Sequence, residues 1–196
     1  MLRASLAYFG SVALWRAGVA AGGFRFRENE HYQRRSQRNR AVVATPRGPH
    51  LLSLPLRAGK HERCPMREVR LSYAEDWPRR HFLTLRSAYG RAPLWAEVAG
   101  ELEDLYASRP PRLWEWNLAC VEWVRAWVAP ALVLATADDW QPGVDAADAP
   151  WLREGRSLPP YPQVFGDRLG FLPDLCVVDL LLCRGPAAAA EYLSAP

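Results

Sequence analysis

The stretch from Leu175 to Leu182 constrains this chain more than any other. Leu175, Val177, Val178, Leu180, Leu181 and Leu182 cover nearly the whole circumference of a helix that runs to Arg184 and is ended by Gly185-Pro186. A helix apolar all round has no face for solvent, so the fold must enclose it. Asp179 lies in the middle of that run. A carboxylate carried inside must be paired, hydrogen-bonded or protonated. Two readings are open, a structural ion pair and a catalytic acid. Both ask for a cation-bearing segment to reach the helix.

The obvious supplier is Glu30-His31-Tyr32-Gln33-Arg34-Arg35-Ser36-Gln37-Arg38-Asn39-Arg40, with four arginines in its last seven residues. Amides lie between them. Arginine carries a planar, permanently charged fork that matches carboxylate and phosphate oxygens. The plain alternative is a solvated connector between two strands. If the run is a site, Arg38, Asn39 and Arg40 should pack against the last long helix. Asp179 should meet an arginine or amide there, with Tyr161 as a further candidate, and so hold the fork for an anion.

The length of 196 residues suits one domain, 1–196, with a sizeable core. Hydrophobic residues at 49% and charged ones at 23% describe a soluble globular composition. The net charge of +4 permits an anionic ligand without demanding one. Lys60 is the only lysine, so the chain is arginine-rich throughout, and only the local cluster carries weight. Cys64, Cys120, Cys176 and Cys183 form no CxxC pair and no zinc spacing, and no metal is called for. Cys176 and Cys183 would sit about 10 Å apart on one helix face, too far for a disulfide. All four read as reduced, as in a cytoplasmic protein. The apolar run from Ala4 to Trp15 is too short to span a bilayer. Residues 1–21 do have signal-peptide proportions, which keeps secretion as the alternative.

The pattern predicts an α/β or α+β domain, a mixed sheet from the N-terminal half packed on helices from the C-terminal half. A strand or loop at 2–8, a helix from Phe9 to Gly18 and a strand at Phe24-Arg25-Phe26-Arg27 make a possible parallel βαβ unit. Ala41 to Thr45 and Leu51 to Leu56 flank the turn Pro46-Arg47-Gly48-Pro49 as a hairpin. Met66 to Ser72 reads as a strand. Asp76 should cap a helix to about Tyr89. Helices follow at 94–107 and 113–128, then a strand at 131–135. Residues 138–160 read as an acidic surface loop, and Asp174 should cap the last long helix. Within helix 113–128, Asn117 sits among apolar positions and needs an internal partner. His81 lies one turn from Trp77 and from Leu85, on a core-facing stripe.

Taken together these blocks resemble the WbqC-like family of bacterial proteins. Tyr8-Phe9 is similar to the family's opening motif. Glu28-Asn29-Glu30-His31-Tyr32-Gln33 through Arg38-Asn39-Arg40 resembles its Glu-Asn-Tyr-Gln-Lys and Arg-Asn-Arg signature. Leu52-Ser53-Leu54-Pro55-Leu56, Pro65 to Leu71, and the spacing of Trp77, His81, Ser87-Ala88-Tyr89 and Pro93 follow. Tyr161, Gln163-Val164-Phe165, Gly170 to Pro173, Asp179-Leu180-Leu181 and Gly185-Pro186 resemble its C-terminal block. Gly10-Ser11 replaces two prolines, and Asp174-Leu175-Cys176 replaces Asn-Leu-Ser. One extra residue lies between Glu28 and Tyr32.

The resemblance implies a setting among O-antigen and other surface-polysaccharide genes. It implies a transferase or modifying enzyme acting on nucleotide-linked sugars, while catalysis itself stays open. No Gly-rich phosphate loop, HExxH or nucleophile elbow occurs, and no cofactor is called for. The candidate proton-moving residues are His81 and Asp179. The candidate substrate-binding residues are Glu28, Arg38, Asn39, Arg40, Asn117, Tyr161 and Gln163. The expected partner is an anionic small molecule: a nucleotide-sugar diphosphate, a carboxylate or an acyl-CoA. One alternative is a non-catalytic anion or nucleic-acid binder. Nucleic acid is disfavoured because the tryptophans lie in buried-looking helices rather than in the basic run. Another alternative is a thiol enzyme using Cys176, which needs a neighbouring base.

Overall fold

The computed structural model describes residues 1–57, 64–137 and 158–195. Strand β1 (Leu2–Ala4) leads through a buried segment into helix α1 (Val12–Ala20), and the chain returns as β2 (Gly23–Arg27). β1 and β2 pair in parallel with Leu2 opposite Phe24, so the expected strand–helix–strand unit is present. Gly18 lets α1 lie on the sheet, because a Cβ there would sit 2.0 Å from the Phe24 ring. Phe24 and Phe26 point inward and stack at 5.4 Å, while Arg25 points out, the alternation a half-buried strand requires. The third strand of this sheet comes from far along the chain. β5 (Val133–Ala137) pairs β2 in parallel with Gly23 opposite Val133.

β3 (Arg40–Thr45) and β4 (Gly48–Ser53) form a separate antiparallel hairpin. Its second arm starts three residues before the expected Leu51. The loop is only Pro46-Arg47, with Thr45 opposite Gly48, and Gly48 supplies the φ of +108° that the turn needs. Residues 66–72 are not a strand. Met66–Glu68 is a 3₁₀ turn, and only single bridges follow, Arg70 to Arg112 and Leu56 to Leu71. Met66 and Val69 are both fully buried at a spacing of three, which a tight turn satisfies and a period of two does not.

The helices are α2 (Trp77–Tyr89), α3 (Trp95–Ala107), α4 (Leu113–Val128), the short α5 (Gly166–Leu169) and α6 (Val177–Ser194). α6 is broken at Gly185, where φ is +73°, and Pro186 restarts it. Asp76 stands at the N-cap of α2 as expected, but its side chain makes no cap bond; its carboxylate instead meets the Arg109 guanidinium. Asp174 stands two residues before the true N-cap, Cys176, in a left-handed conformation with φ +60°. α6 packs on α1 and α4, and its residues from Val177 to Leu182 are buried. The result is a mixed α/β fold built round that helix. The expected loop at 138–160 falls mostly outside the described residues. Among the described residues no helix is long and apolar enough to cross a membrane.

Candidate functional site

The arginine run folds back on itself because Arg38 finds a carboxylate eight residues earlier. Arg38 is 1% exposed. Its Nε and Nη2 donate to the two Glu30 carboxylate oxygens, each at 3.1 Å, and Nη2 also donates to Ser5 Oγ at 2.6 Å. Ser5 Oγ donates in turn to Glu30 at 2.8 Å, and Arg27 Nη2 lies 3.6 Å from the same carboxylate. This is a buried network beneath the loop. Asn117 ties it to α4: its amide donates to the carbonyls of Arg38 at 2.7 Å and Leu6 at 3.1 Å. Asn39, also buried, donates to the Leu54 carbonyl. Glu28 stands apart from this network; its backbone bonds Ala137 and Arg67.

Arg40, two residues on and starting β3, faces elsewhere. It lines a cleft of about 240 Å³ together with Arg35, Gln37, Ser11, Asp174 and Cys176. Three segments distant in sequence build this cleft, and backbone bonds lace them together. Tyr8 N–H donates to Gln37 O at 2.9 Å, Val12 N–H to Leu175 O, Val177 N–H to Gly10 O at 2.9 Å, and Cys176 N–H to Val42 O at 2.7 Å. The Gln37 side-chain oxygen accepts from Ser11 N–H at 3.3 Å. Two of the four non-glycine residues with positive φ among the described residues line this cleft, Arg35 at +56° and Asp174 at +60°, and a third, Phe9 at +59°, lies buried between its lining residues Tyr8 and Gly10. Each costs about 1–3 kcal/mol, and such strain gathers where surrounding structure holds a site in shape.

The electrostatics favour an anion. Ser11 and Cys176 are the N-caps of α1 and α6, so two helix N-termini stand beside the cleft with their partial positive charge, their Val12 and Val177 N–H groups already bonded to the protein. Arg35 and Arg40 add full charges, opposed by the exposed Asp174. The Nε of Arg40 is buried and has no hydrogen-bond partner among the described residues. A charged donor in that position is a high-cost arrangement unless something accepts from it.

Asp179 is fully buried, as its helix implied, but it does not meet the arginine run. Tyr89 O–H donates to one carboxylate oxygen at 2.8 Å; Tyr161 O–H at 2.8 Å and Gln163 at 3.3 Å donate to the other. Tyr161 is the one expected partner present; Tyr89 and Gln163, both neutral, stand in place of the expected arginine. Tyr89 O also accepts from Ala44 N–H at 2.9 Å, which joins the cluster to β3. Burial raises the Asp179 carboxyl above its usual range, and the phenol and amide bonds pull it partly back.

His81 is also inside, on the predicted stripe, within 7 Å of the rings of Trp77, Tyr8 and Tyr106. Its Nδ1 lies 3.1 Å from Tyr8 Oη, which is 2.6 Å from Tyr106 Oη. Burial lowers its pKa to about 4, with Arg80 and His50 adding to the effect, so the ring is neutral at pH 7. Tyr8 borders the Arg40 cleft, but its phenol is wholly buried on His81 and Tyr106, so His81 itself does not reach the cleft. Cys176 is buried, and burial, then Asp179, push its thiol up to about 12. It is an un-ionised cap under the cleft, without thiolate character at neutral pH.

The structure therefore separates the predicted residues into three neighbourhoods: Arg40 on the cleft with Arg38, Asn39 and Asn117 behind it; Asp179 with Tyr161 and Gln163; and His81 with Tyr8. Sequence reasoning did not single out Tyr8, Arg35, Gln37 and Ser11 as cleft residues, nor Glu30 as Arg38's partner. Glu30 precedes Tyr32-Gln33 at the spacing of the family Glu, a signal that was present. Among the described residues no cluster of His, Cys, Asp and Glu could hold a metal ion. No curated protein and no solved structure matches the chain. A family model matches residues 8–141, from Tyr8 through the arginine run, the hairpin and α4, and stops before Tyr161 and Asp179. By that match, which spans well over half its length, the chain belongs to the WbqC-like protein family.

Proposed function

We propose that this protein works in the cytoplasm, in surface-polysaccharide or nucleotide-sugar metabolism, as a transferase or modifying enzyme. The Arg40 cleft grips the anionic end of its substrate. The observation that carries this reading is that Arg35 and Arg40 line one cleft together with Ser11 and Cys176, the N-caps of two helices. A cleft of about 240 Å³ takes a phosphate, a diphosphate or a carboxylate-bearing end rather than a whole nucleotide sugar. Arg38 serves from behind: locked to Glu30 and Ser5, it holds the loop that aims Arg40 and Arg35. His81, neutral at pH 7, bonds the Tyr8 phenol in the core behind the cleft.

Calorimetric titration of the full chain with pyrophosphate, glycerol phosphate and simple carboxylates tests the reading. Arg40→Ala should weaken the best of these by about tenfold or more, the worth of a charge-assisted hydrogen bond. Its melting temperature should stay close to that of the parent. Unchanged affinity in that variant, or no anion bound by the parent, would defeat the proposal. A second reading, a non-catalytic anion-binding protein, is favoured by the burial of both His81 and Asp179. Product formation from a bound nucleotide sugar discriminates between the two.

A further inference from the structure

A second and larger cleft, of about 810 Å³, shares no lining residue with the first. It falls within the size range of sites that enclose a whole small molecule, about 300–1,000 Å³. Arg86 in the last turn of α2 and Arg91 just after it stand on its wall. Among the described residues neither has an ion pair or side-chain hydrogen bond, and no carboxylate side chain lines the cleft. The partly buried Phe165 and the rings of Pro46, Pro93 and Pro162 supply flat apolar surface. The wall is also fixed in advance. Gln163 brackets Leu172, donating to its carbonyl at 2.9 Å and accepting from its N–H at 2.8 Å. The same amide reaches Asp179, which Tyr89 and Tyr161 hold from behind. A buried carboxylate with no cation is thereby explained: it braces the wall of this cleft. Preformed walls lower the cost of binding.

We propose that this second cleft binds a nucleoside diphosphate moiety, its pyrophosphate lying across Arg86 and Arg91 and its base resting on Phe165. Two guanidinium forks with no competing acid among the described residues match a diphosphate. An aromatic ring beside proline faces accepts any base by stacking. Nucleotide sugars and coenzyme A both carry this moiety. The two clefts stand about 10 Å apart along α6, since Cys176 lines one and Cys183, seven residues on, lines the other. A donor in the large cleft and a compact acidic acceptor in the small one is the arrangement a transferase needs. The inference rests on the proposed function for the use of the ligand, not for its binding.

The test is calorimetry on the full chain with UDP, GDP, UDP-glucose and coenzyme A, and with inorganic pyrophosphate as the reference. A nucleoside diphosphate should bind more tightly than pyrophosphate. Arg86→Ala with Arg91→Ala should weaken it by about tenfold or more. Both side chains are exposed, so the melting temperature should hold. Phe165→Ala should erase the advantage over pyrophosphate, and Arg40→Ala should leave nucleotide affinity unchanged while removing the anion bound at the first cleft. Tighter binding of UDP-glucose points to a nucleotide sugar, and tighter binding of coenzyme A to an acyl carrier. The proposal is overturned if no nucleoside diphosphate outbinds pyrophosphate, or if Arg40→Ala abolishes nucleotide binding and the double variant does not.

Discussion

Arg38 and Arg40 look equivalent in the sequence, and replacing each by alanine should have opposite consequences. Arg38 is almost wholly buried and makes four side-chain hydrogen bonds, two to Glu30, one to Ser5 and one to Gln33 at 3.4 Å. Truncating it strands the Glu30 carboxylate, itself 1% exposed, in the core. Breaking a buried pair from one side costs about 3–5 kcal/mol, mostly for the charge left behind. Ser5 still donates to Glu30, and Arg27 remains 3.6 Å away. Arg38→Ala should therefore fall toward the lower end, about 3 kcal/mol. Urea unfolding followed by tryptophan fluorescence measures this, with nine tryptophans in the chain as reporters. Replacing both partners, Arg38→Met with Glu30→Leu, should recover most of the loss, because well-packed apolar residues substitute for a buried pair at little cost. A loss below about 1 kcal/mol in Arg38→Ala, the level of an exposed pair, would refute the structural role given to this arginine.

Other consequences follow from the buried titratable groups. The folded pKa of His81, about 4, lies below its unfolded value of about 6.5, so its stabilising effect is complete above pH 6.5 and fades as pH falls toward 4. The loss is about 3 kcal/mol at most, and His81→Gln should flatten that slope in pH-dependent unfolding. Asp179 has the opposite sign: its raised carboxyl is best tolerated protonated, so stability is lost as pH rises from the unfolded value of 3.8 through the folded one. Asp179→Asn, which keeps a side-chain acceptor for one phenol, should destabilise least at high pH, and less than Asp179→Leu at every pH, as read from unfolding midpoints. Cys176 and Cys120, both buried with their thiols raised by burial, should resist iodoacetamide until the protein unfolds, and mass spectrometry of labelled peptides reports this.

Periodicity made much of the interior legible. Asp179 was placed inside because every neighbour on its helix is apolar, and His81 because Trp77 and Leu85 share its stripe. Of Asp179's partners Tyr161 was legible, and the arginine or amide expected from residues 38–40 was not the other: Tyr89 is a neutral donor that only the fold brings to the same point. The two arginines could not be told apart, because what separates them is which way each leaves the start of β3. Glu30 settles that for Arg38, but choosing Glu28 as the significant carboxylate hid the pairing. Residues 66–72 failed for a simpler reason: Val69 and Leu71 alternate like a strand, while Met66 and Val69 pack as a turn. The clefts themselves come from contacts such as Val177 with Gly10, which no local pattern announces.

The central claim is that Arg40, and not Arg38, meets the anion. Nuclear magnetic resonance of the arginine Nε–H groups in ¹⁵N-labelled protein, titrated with pyrophosphate, tests it directly, with Arg40→Ala and Arg38→Lys used to assign the two signals. The account predicts that the Arg40 Nε–H resonance moves and saturates with the anion while the Arg38 resonance, held by Glu30, stays in place. An Arg40 signal that does not move, or an anion that shifts Arg38 instead, would contradict it.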